Sequence, residues 1–453
     1  MPKKITTKNP YNQNKLNEYD FHNEKQVESI LSLSENVFYD WRTKPIKDRA
    51  KLLENLIIIL KDNIDDYANL ITAEMGKPIS QSKSEIEKCI WLCNFYKENA
   101  QRFLSDEMID TEAEESFISY DPLGTILAIM PWNYPFWQVM RFAVPTLTAG
   151  NTALLKHALN VTGCALIIED AFEKAGYPKG CFQTILINHD VIEDVIADER
   201  VKAVSLTGSE KAGKSVAKIA GKHLKKCVLE LGGNNACVVL EDADLNKYLD
   251  VIINARMQNT GQSCIAAKRF IVEESIYEEF LEKFTSKIKA LKEGDPNDKD
   301  TDITILARTY LAETLKNQVS DSIAKGANIH YGNSQKNAYY QPTVITEVKP
   351  GMPVFDEETF GPVAAITKVS DKGEAFKLLA NSRFGLGTMI FTENKKYIKE
   401  RIFEIPDGAL FVNEMVKSDP RLPFGGTKAS GYGRELSKEG ILEFVNAKTV
   451  YLK

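Results

Sequence analysis

The stretch "NTGQSCIAAKR" (residues 259–269) contains a cysteine, Cys264, with several features of a reactive thiol. It follows Gly-Gln-Ser, and two alanines and two cations come next. A thiolate attacks carbonyl carbon readily, so Cys264 is a candidate nucleophile. The alternative is a small buried apolar side chain, which is the usual role of an isolated cysteine and the one that we expect for the other six.

A glutamate and an asparagine elsewhere in the chain could assist such a thiol. Glu230 ends the apolar run in "KKCVLELGG" (225–233), and a carboxylate emerging from an apolar strand should have a raised pKa, which suits a general base near neutrality. Asn133 lies in "IMPWNYPFW" (129–137) and carries a side-chain amide that can donate hydrogen bonds. The alternatives are that Glu230 caps a helix and that Asn133 shapes the turn before Pro135.

A different chemistry is indicated by "VSLTGSEKAGKS" (204–215). This segment follows a predicted strand, opens a helix and matches G-x-x-x-x-G-K-S, the phosphate-binding loop of nucleotide triphosphatases. Asp242 after "ACVVLE" could then bind magnesium. However, such loops usually follow the first strand of their domain, and two strand-helix units precede this one. A P-loop-type triphosphatase therefore stays as a remote alternative.

Composition and charge narrow the class of partners. The 453 residues include 57 Lys plus Arg and 63 Asp plus Glu, a formal charge of -6, so we expect no nucleic acid and no membrane surface as partner. Seven scattered cysteines without a C-x-x-C pair suggest neither disulfides nor a metal site. We therefore expect a cytoplasmic protein that binds small molecules and copies of itself.

Apolar periodicity predicts two open α/β domains. Residues 27–41 and 46–104 follow a mostly helical pattern, and 115–130 becomes rich in β-forming residues. From 151 to about 240, short apolar runs alternate with helical segments, which predicts crossover units and a parallel sheet. A second alternation runs from "AKRFIVE" (267–273) to "GALFVNE" (408–414), which predicts the second α/β domain.

Six segments, taken together, resemble the aldehyde dehydrogenase superfamily over essentially the whole chain. In order they are "IMPWNYPFW" (129–137), "LTGSEKAG" (206–213), "LELGG" (229–233), "NTGQSC" (259–264), "EETFGPV" (357–363) and "PFGGTKASGYGRE" (423–435). Three further segments, "PWNYPFWQVMRFAVP", "LLKHALN" and "KSDPRLPFGG", are similar to the short bacterial succinate-semialdehyde dehydrogenase branch. Another small aldehyde or semialdehyde is the alternative substrate.

The resemblance implies an aldehyde dehydrogenase-like α/β fold with three parts. Residues 1–104 and 123–232 would form the dinucleotide-binding domain and 233–429 the catalytic domain. Residues 105–122 and 440–453 would form a small β oligomerisation element. The terminal "NAKTVYLK" (446–453) looks like an edge strand without a partner in its own subunit. Such an edge favours pairing with a second copy, so we expect a homodimer or homotetramer.

The resemblance also implies a role for each candidate catalytic group. Cys264 would add to the aldehyde, and the adduct would transfer a hydride to a nicotinamide and leave a thioester. The Asn133 amide and the Cys264 backbone N–H would stabilise the oxyanion. Glu230 would activate the water that hydrolyses the thioester. A protein that uses the thiol for hydrolysis alone is the alternative.

Cofactor binding follows from the same resemblance, because no G-x-G-x-x-G fingerprint is present. It implies that Gly208 and Ser209 approach the diphosphate at a helix amino terminus and that Lys156 holds the adenosine ribose. It places Trp132 near the nicotinamide, and Glu358 and Phe360 at the nicotinamide ribose. For Lys156 and Glu358 the alternative is a structural ion pair.

Two positions after the ribose lysine depart from the family's pattern. Where NAD-preferring relatives often carry a glutamate, this chain has Leu159, so the cofactor can be NAD or NADP. His157 replaces a usual proline, and we expect it to be a surface residue or a phosphate donor.

The substrate end is predicted to contain a cation. A helix beginning near Tyr134 or Pro135 would place Trp137 and Arg141 one turn apart, close to Asn133. The Arg141 guanidinium could hold the distal carboxylate of succinic semialdehyde, with Ser263 and Ser418 as lesser donors. Alternatively, Arg141 forms a structural ion pair or caps backbone carbonyls.

Overall fold

A computed structural model describes residues 4–453, and its first part is a hairpin followed by four helices. The elements are β1 (Lys4–Lys8), β2 (Lys15–Asp20), α1 (Glu24–Trp41), α2 (Ile46–Asp62), α3 (Ile64–Met75) and α4 (Ile79–Phe103). The side chains of Asn23 and Gln26 each accept the other's backbone N–H, a capping box that fixes the start of α1. The predicted helical layer is confirmed, whereas the hairpin was not foreseen.

The next segment builds the first α/β unit. Its elements are β3 (Glu107–Met108), β4 (Glu115–Pro122), β5 (Thr125–Met130), α5 (Trp137–Thr148), β6 (Thr152–His157), α6 (Thr162–Lys174), β7 (Phe182–Thr184), α7 (Ile192–Ala197), β8 (Val201–Thr207), α8 (Glu210–Lys222) and β9 (Lys226–Glu230). Strands β5 to β9 pair with one another in parallel, and β6 is buried at every position. Burial of both faces explains their continuous apolar runs.

The remaining chain builds a second unit and returns to the first. Its elements are β10 (Asn235–Val239), α9 (Leu245–Met257), β11 (Ala267–Glu273), α10 (Glu274–Lys289), α11 (Thr309–Ala324), β12 (Asn328–Tyr331), β13 (Gln335–Lys336), β14 (Tyr339–Tyr340), β15 (Thr343–Thr346), α12 (Pro353–Asp356), β16 (Val363–Val369), α13 (Lys372–Ala380), β17 (Phe384–Gly385), β18 (Thr388–Phe391), α14 (Lys395–Lys399), β19 (Leu410–Val412), β20 (Thr427–Lys428), β21 (Gly431–Tyr432), α15 (Ser437–Leu442) and β22 (Val445–Leu452).

Two large sheets confirm the predicted pair of α/β units. The first has six strands in the order β21-β9-β8-β5-β6-β7, and the second has seven in the order β12-β15-β16-β11-β10-β18-β19. Strand β21 follows the second sheet in the chain but pairs antiparallel with β9 of the first. The segment around 431 therefore returns to the end of β9, where Glu230 lies. The exact domain boundaries stay a prediction.

The carboxyl-terminal strand has a partner in its own chain, which corrects the expectation that it lacks one. All eight residues of β22 pair antiparallel with β4, in a three-stranded sheet of order β22-β4-β3. The sequence placed 105–122 and the terminal segment in one element but did not reveal that they pair with each other. Because β22 is at the end of this sheet, one edge of it still faces outward.

The largest apolar cluster lies between the first sheet and helices α2 to α6, and the nucleophile's loop packs against it. Cys264 and Ile265 contact this cluster from its border. In the part of the chain from residue 4 onward, no helix is both long and apolar enough to cross a membrane.

Candidate active site at Cys264

Cys264 lies between two cavities. One, of about 260 Å³, is lined by Lys88, Trp137, Arg141 and Ser418 among others, and we call it the Lys88 cavity. The other, of about 310 Å³, is lined by residues that include Trp132, Asn133, Gly208, Ser209, Glu358 and Phe360, and we call it the Phe360 cavity. Cys264 lines both. A thiol in this position can react with a molecule in one cavity while a second molecule occupies the other.

The backbone before the nucleophile is in an unusual conformation. Asn259, Thr260 and Gly261 have φ of 54°, 52° and 74°, which is costly for the β-branched threonine. A Cβ at Gly261 would lie 2.3 Å from the Gly361 carbonyl oxygen, so only glycine fits there. The loop is held by the Asn259 amide, which donates to the Asn133 carbonyl at 2.9 Å. Such strain, held by surrounding contacts, is typical of functional loops.

Asn133 lies where the predicted oxyanion donor should be. Its side chain is buried, and Nδ2 donates to the Gln262 carbonyl at 3.0 Å. An amide nitrogen has two hydrogens, so one remains to donate elsewhere. Within residues 4–453 the Cys264 backbone N–H donates to no acceptor. Asn133 and Cys264 therefore retain the two donors that the sequence suggested.

Burial favours the protonated form of the Cys264 thiol. Burial raises its pKa to about 11, while the charges of Lys268 and Arg141 oppose the rise. The Lys268 ammonium is fully buried and donates to the Cys264 carbonyl at 2.8 Å. Because a thiol is a weak nucleophile, a neighbouring base has to accept its proton.

Glu230 has the raised pKa that its apolar strand predicts. Burial raises the pKa of Glu230 well above its ordinary value, and the nearby Glu435 carboxylate raises it further. Both oxygens of Glu230 are buried and accept no hydrogen bond. The side chain lies on the Gly425 side of β9, where a Cβ on Gly425 would be 2.8 Å from Glu230 Oε1. It borders the Arg141–Glu435 pair and is outside the lining of both cavities as the described residues define them.

The Arg141 guanidinium is paired with a carboxylate of its own chain. Arg141 Nε contacts Glu435 Oε2, and both side chains are buried. The guanidinium also lies over the Phe424 ring, 4.5 Å from its centroid, and Nη2 is 3.5 Å from Thr207 Oγ1. Arg141 lines the Lys88 cavity, but its charge is already balanced. The ion-pair alternative from the sequence is thus present in the structure.

Trp137 and Ser418 form a hydrogen-bonded part of the cavity wall. Trp137 Nε1 donates to Ser418 Oγ at 3.0 Å, and Lys88 Nζ donates to the same oxygen at 2.8 Å. A hydroxyl oxygen has two lone pairs and one proton. Since both lone pairs accept, the Ser418 proton is left to donate. Ser263 also lines this cavity.

Helix α5 starts later than the sequence suggested. It begins at Trp137 and not near Tyr134 or Pro135, because Glu85 Oε1 accepts the N–H groups of Phe136 and Trp137 at 2.8 and 2.9 Å and caps the helix there. Trp137 and Arg141 remain one turn apart on this helix, as predicted.

His157 corrects a second expectation, since it is not at the surface. It is buried, and its ring nitrogens lie 3.1 Å from the carbonyls of Met130 and Pro135. Burial lowers its pKa to about 4. His157 therefore bridges the two ends of the loop that carries Trp132 and Asn133, and it is not placed to bind phosphate.

The Phe360 cavity has aromatic and charged walls. The rings of Trp132 and Phe360 meet edge to face, with centroids 5.8 Å apart. Glu358 accepts a hydrogen bond from buried Lys268 at 2.8 Å, so it lines the cavity and forms an ion pair at the same time. Ser209 caps α8, and the Gly208 N–H donates to the Glu230 carbonyl, so Gly208 offers open space without a free N–H.

Two cations that have no acidic partner among residues 4–453, Lys156 and Arg308, lie close to each other. Lys156 lies next to the last residue of the buried strand β6, and burial lowers its pKa to about 8, with a further contribution from the charge of Arg308. Arg308 Nη2 donates to Asn160 Oδ1 at 2.6 Å, one residue beyond Leu159. Arg308 Nε is buried and has no acceptor among the residues from 4 to 453. This pair of positive charges is suited to an anion.

Comparison with known proteins agrees with this geometry. The model of the aldehyde dehydrogenase family matches residues 1–450. The chain belongs to this family. A probable succinate-semialdehyde dehydrogenase [NADP(+)] of Synechocystis is 48% identical over 451 residues, with 99% of each chain covered. The succinate semialdehyde dehydrogenase [NAD(P)+] Sad of Escherichia coli is 44% identical, with 94% of this chain and 93% of that one covered.

Solved structures show the same fold. Succinic semialdehyde dehydrogenase from Streptococcus pyogenes, crystallised with NADP+ as the cofactor, superimposes with a TM-score of 0.96 at 35% identity, with 99% of each chain covered. The aldehyde dehydrogenase fold expected from the sequence is therefore confirmed for this chain.

The triphosphatase alternative is overturned by the position of helix α8. The helix starts at Glu210, so Lys214 lies inside it, is exposed and pairs with Glu210 at 2.7 Å. In a phosphate-binding loop, the residues before the Gly-Lys pair wrap around the phosphate as a non-helical loop. Here those residues are helical, and the sequence match was fortuitous.

This aldehyde dehydrogenase site contains three charged side chains that the sequence analysis missed. They are Lys88, Lys268 and Arg308. Lys268 could have been noticed as one of the two cations after Cys264. Lys88 and Arg308 are far from every quoted segment in the sequence, so only the packing of α4 and of the start of α11 shows that they belong to the site.

Proposed function

We propose that this aldehyde dehydrogenase oxidises succinic semialdehyde to succinate with NADP as the preferred acceptor. The observation that carries the proposal is the position of Cys264 between two cavities, one with a cationic wall and one with aromatic walls. The names of the Synechocystis and Escherichia coli relatives support both the substrate and the cofactor.

The reaction has two stages, oxidation of the aldehyde to a thioester and hydrolysis of that thioester, and different residues act in each. The Cys264 thiol gives its proton to a solvent water in the cavity, and the thiolate adds to the aldehyde carbon, while the Asn133 amide and the Cys264 N–H stabilise the oxyanion that forms. A bound oxidised nicotinamide supplies the hydride acceptor. Glu230 then takes a proton from water, the water attacks the thioester, and the C–S bond breaks to restore the thiol. The raised pKa of Glu230 makes its carboxylate a stronger base for this step.

A nicotinamide dinucleotide fits the residues of the Phe360 cavity. Trp132 and Phe360 offer aromatic faces next to Cys264, Glu358 offers a carboxylate oxygen for a ribose hydroxyl, and Ser209 lies at the amino terminus of α8, where a diphosphate is favoured. Lys156 and Arg308 lie close to each other and have no acidic partner among residues 4–453, which supports a 2′-phosphate on the ribose and hence NADP.

The Lys88 cavity supports a short substrate with a distal charge. Trp137 forms an apolar wall, and Ser418, Ser263 and Arg141 offer polar groups. Arg141 remains part of the proposed substrate site because it lines the cavity, although its charge is paired with Glu435.

The test is a panel of aldehydes measured with both cofactors by absorbance of the reduced nicotinamide. Succinic semialdehyde with NADP should give the highest kcat/KM, above butanal and above the same aldehyde with NAD. A preference for butanal would overturn the substrate. Ester hydrolysis without any reduction of cofactor would instead indicate a purely hydrolytic thiol protein.

A homo-oligomeric assembly and a cytoplasmic location complete the proposal. Strand β22 has an outward edge and carries the exposed side chains of Tyr451 and Leu452, which supports pairing with a second copy. All seven cysteines are free thiols, as expected in a reducing compartment. Light scattering at two protein concentrations would give the number of subunits.

A further inference from the structure

We infer that Lys88, on helix α4, is the residue that recognises a carboxylate at the far end of the substrate. This inference rests on the proposed function, because it concerns the same cavity and the same reaction. It replaces Arg141 as the main cation for the substrate and assigns a role to a side chain outside every segment that resembles the family.

The charges that line the cavity favour Lys88 as the group that binds a carboxylate. Three cations line it, Lys88, Arg141 and Lys417, and Lys417 pairs with Glu414. The Glu85 carboxylate also lines it and pairs with Lys77. Arg141 is neutralised by Glu435, whereas Lys88 forms no ion pair with any residue in the described part of the chain. A partly buried cation without a counter-ion is costly, so its position at a binding cavity indicates that a ligand supplies the negative charge.

The Lys88 ammonium group also has hydrogen-bond donors that remain free. Lys88 Nζ donates one hydrogen bond to Ser418 Oγ at 2.8 Å and lies 4.3 Å from the centroid of the Trp137 ring. An ammonium group has three N–H donors, so two are left. The Ser418 hydroxyl proton is also free to donate. Lys88 and Ser418 together can therefore satisfy both oxygens of one carboxylate.

Lys88 shares its cavity with the nucleophile. Lys88 and Cys264 line the same cavity of about 260 Å³ from different elements, α4 and the loop after α9. This volume accommodates a four-carbon chain. An aldehyde carbon at the thiol and a carboxylate at the ammonium group are the two ends of such a chain, which selects ω-carboxy aldehydes.

The fixed position of Lys88 follows from its helix. Glu85, one turn earlier on α4, accepts the N–H groups of Phe136 and Trp137 and pairs with buried Lys77. These hydrogen bonds join α4 to the start of α5 and fix the position of Lys88 relative to Trp137. A cation on a rigid element discriminates charge more sharply than one on a mobile loop.

The decisive experiment compares Lys88→Met with wild type on succinic semialdehyde and on butanal. Methionine keeps the length of the side chain and removes the charge. The loss of a charge-assisted hydrogen bond should lower kcat/KM for the semialdehyde by about 10- to 100-fold, mostly through KM. The loss with butanal should be at least tenfold smaller. Inhibition by succinate should weaken in parallel with the semialdehyde.

Two further variants serve as controls. Lys83→Met removes a lysine of the same helix that pairs with Asp65 at the surface, and it should leave both substrates unchanged. Lys88→Arg keeps the charge and should recover part of the preference for the semialdehyde. A melting temperature close to that of wild type would show that Lys88→Met folds.

The possible failures are distinguishable. If wild type shows no preference for the semialdehyde over butanal, both the proposed substrate and the role of Lys88 are wrong. If wild type shows the preference and Lys88→Met keeps it, or loses both substrates by the same factor, the substrate stands and the assignment of Lys88 is overturned.

Discussion

Arg141 and Glu435 form an ion pair in the interior, between helix α5 and the segment that follows β21, with side chains 3% and 6% exposed. Glu435 in turn raises the pKa of Glu230, the proposed base. One ion pair therefore connects the wall of the substrate cavity with the carboxylate that handles protons.

Removal of Arg141 should affect every substrate. Arg141→Ala leaves Glu435 buried without its cation, and breaking a buried pair of this kind costs about 3–5 kcal/mol of stability. We expect a lower melting temperature and a similar loss of kcat/KM with succinic semialdehyde and butanal. Calorimetry and initial rates measure both. A loss confined to the semialdehyde, at unchanged stability, would show that Arg141 itself binds the carboxylate.

The thiol should be indispensable. Cys264→Ala should abolish oxidation and leave cofactor affinity nearly unchanged, because covalent chemistry and cofactor binding use different groups. Turnover and cofactor fluorescence titration measure the two effects. More than about a hundredth of wild-type turnover would contradict the assignment, since no other nucleophile is available in the proposal.

Glu230→Gln should separate the two stages of the reaction. Glutamine has the shape of the protonated glutamate, so the buried site should fold normally, but it cannot accept a proton from water. We expect a pre-steady-state burst of reduced cofactor followed by slow turnover, measured by stopped-flow absorbance. A variant that shows neither a burst nor oxidation would place Glu230 in the first stage instead.

The sequence predicted best those features that depend on residues close together in the chain. Cys264, Asn133 and Glu230 lie close to glycines, prolines or strand ends in the sequence, and burial in an apolar strand is the largest cause of the raised pKa of Glu230. The pairing of Arg141 with Glu435 could not be read in the same way, because it joins residues nearly 300 positions apart through the return of β21 to the first sheet.

The position of Lys88 could not be predicted from the sequence either. Helix α4 is amphipathic, and a lysine on such a helix is usually a solvent-facing residue. Only the packing of α4 against α5 and the segment around Ser418 turns this lysine toward Cys264. Likewise, His157 reads as a polar residue after a strand, yet the loop of Trp132 and Asn133 folds over it and buries it.

The preference for a charged aldehyde should weaken at high pH. Burial lowers the pKa of Lys88 to about 8, with the charge of Arg141 acting in the same direction and the nearby groups of Cys89, Glu85 and Asp419 opposing it. The protonated ammonium binds the carboxylate, so the preference is complete below this pKa and is lost above it.

The measurement is the ratio of kcat/KM for succinic semialdehyde to that for butanal, because groups needed by both substrates cancel. With a pKa of about 8 in the free enzyme, the ratio should fall about tenfold between pH 7 and pH 9. Lys88→Arg should abolish this decline. A ratio that is flat over this range in wild type would contradict a role for Lys88 in charge recognition.

Cofactor choice should depend on two residues from different parts of the chain. Leu159 follows β6 and Arg308 precedes α11, and both adjoin Asn160, which accepts a hydrogen bond from Arg308. Leu159→Glu would place a carboxylate near the 2′-phosphate of NADP, where like charges cost several kcal/mol. It should therefore depress kcat/KM with NADP far more than with NAD. An equal loss with both cofactors would mean that position 159 is remote from the ribose.

Arg308→Met tests whether the Arg308 guanidinium binds the 2′-phosphate of NADP. Arg308 has a buried Nε without an acceptor, and no ion pair balances its charge within residues 4–453. A 2′-phosphate would supply both an acceptor and a counter-charge, and a charge-assisted hydrogen bond of this kind is worth about 1.5–3 kcal/mol. We expect KM for NADP to rise about 10- to 100-fold and KM for NAD to change little, since NAD lacks the phosphate. Raised salt should weaken NADP binding in wild type and have less effect in the variant, because the lost contact is ionic. If Arg308→Met raises KM for both cofactors equally, Arg308 stabilises the fold around Asn160 and does not bind the 2′-phosphate.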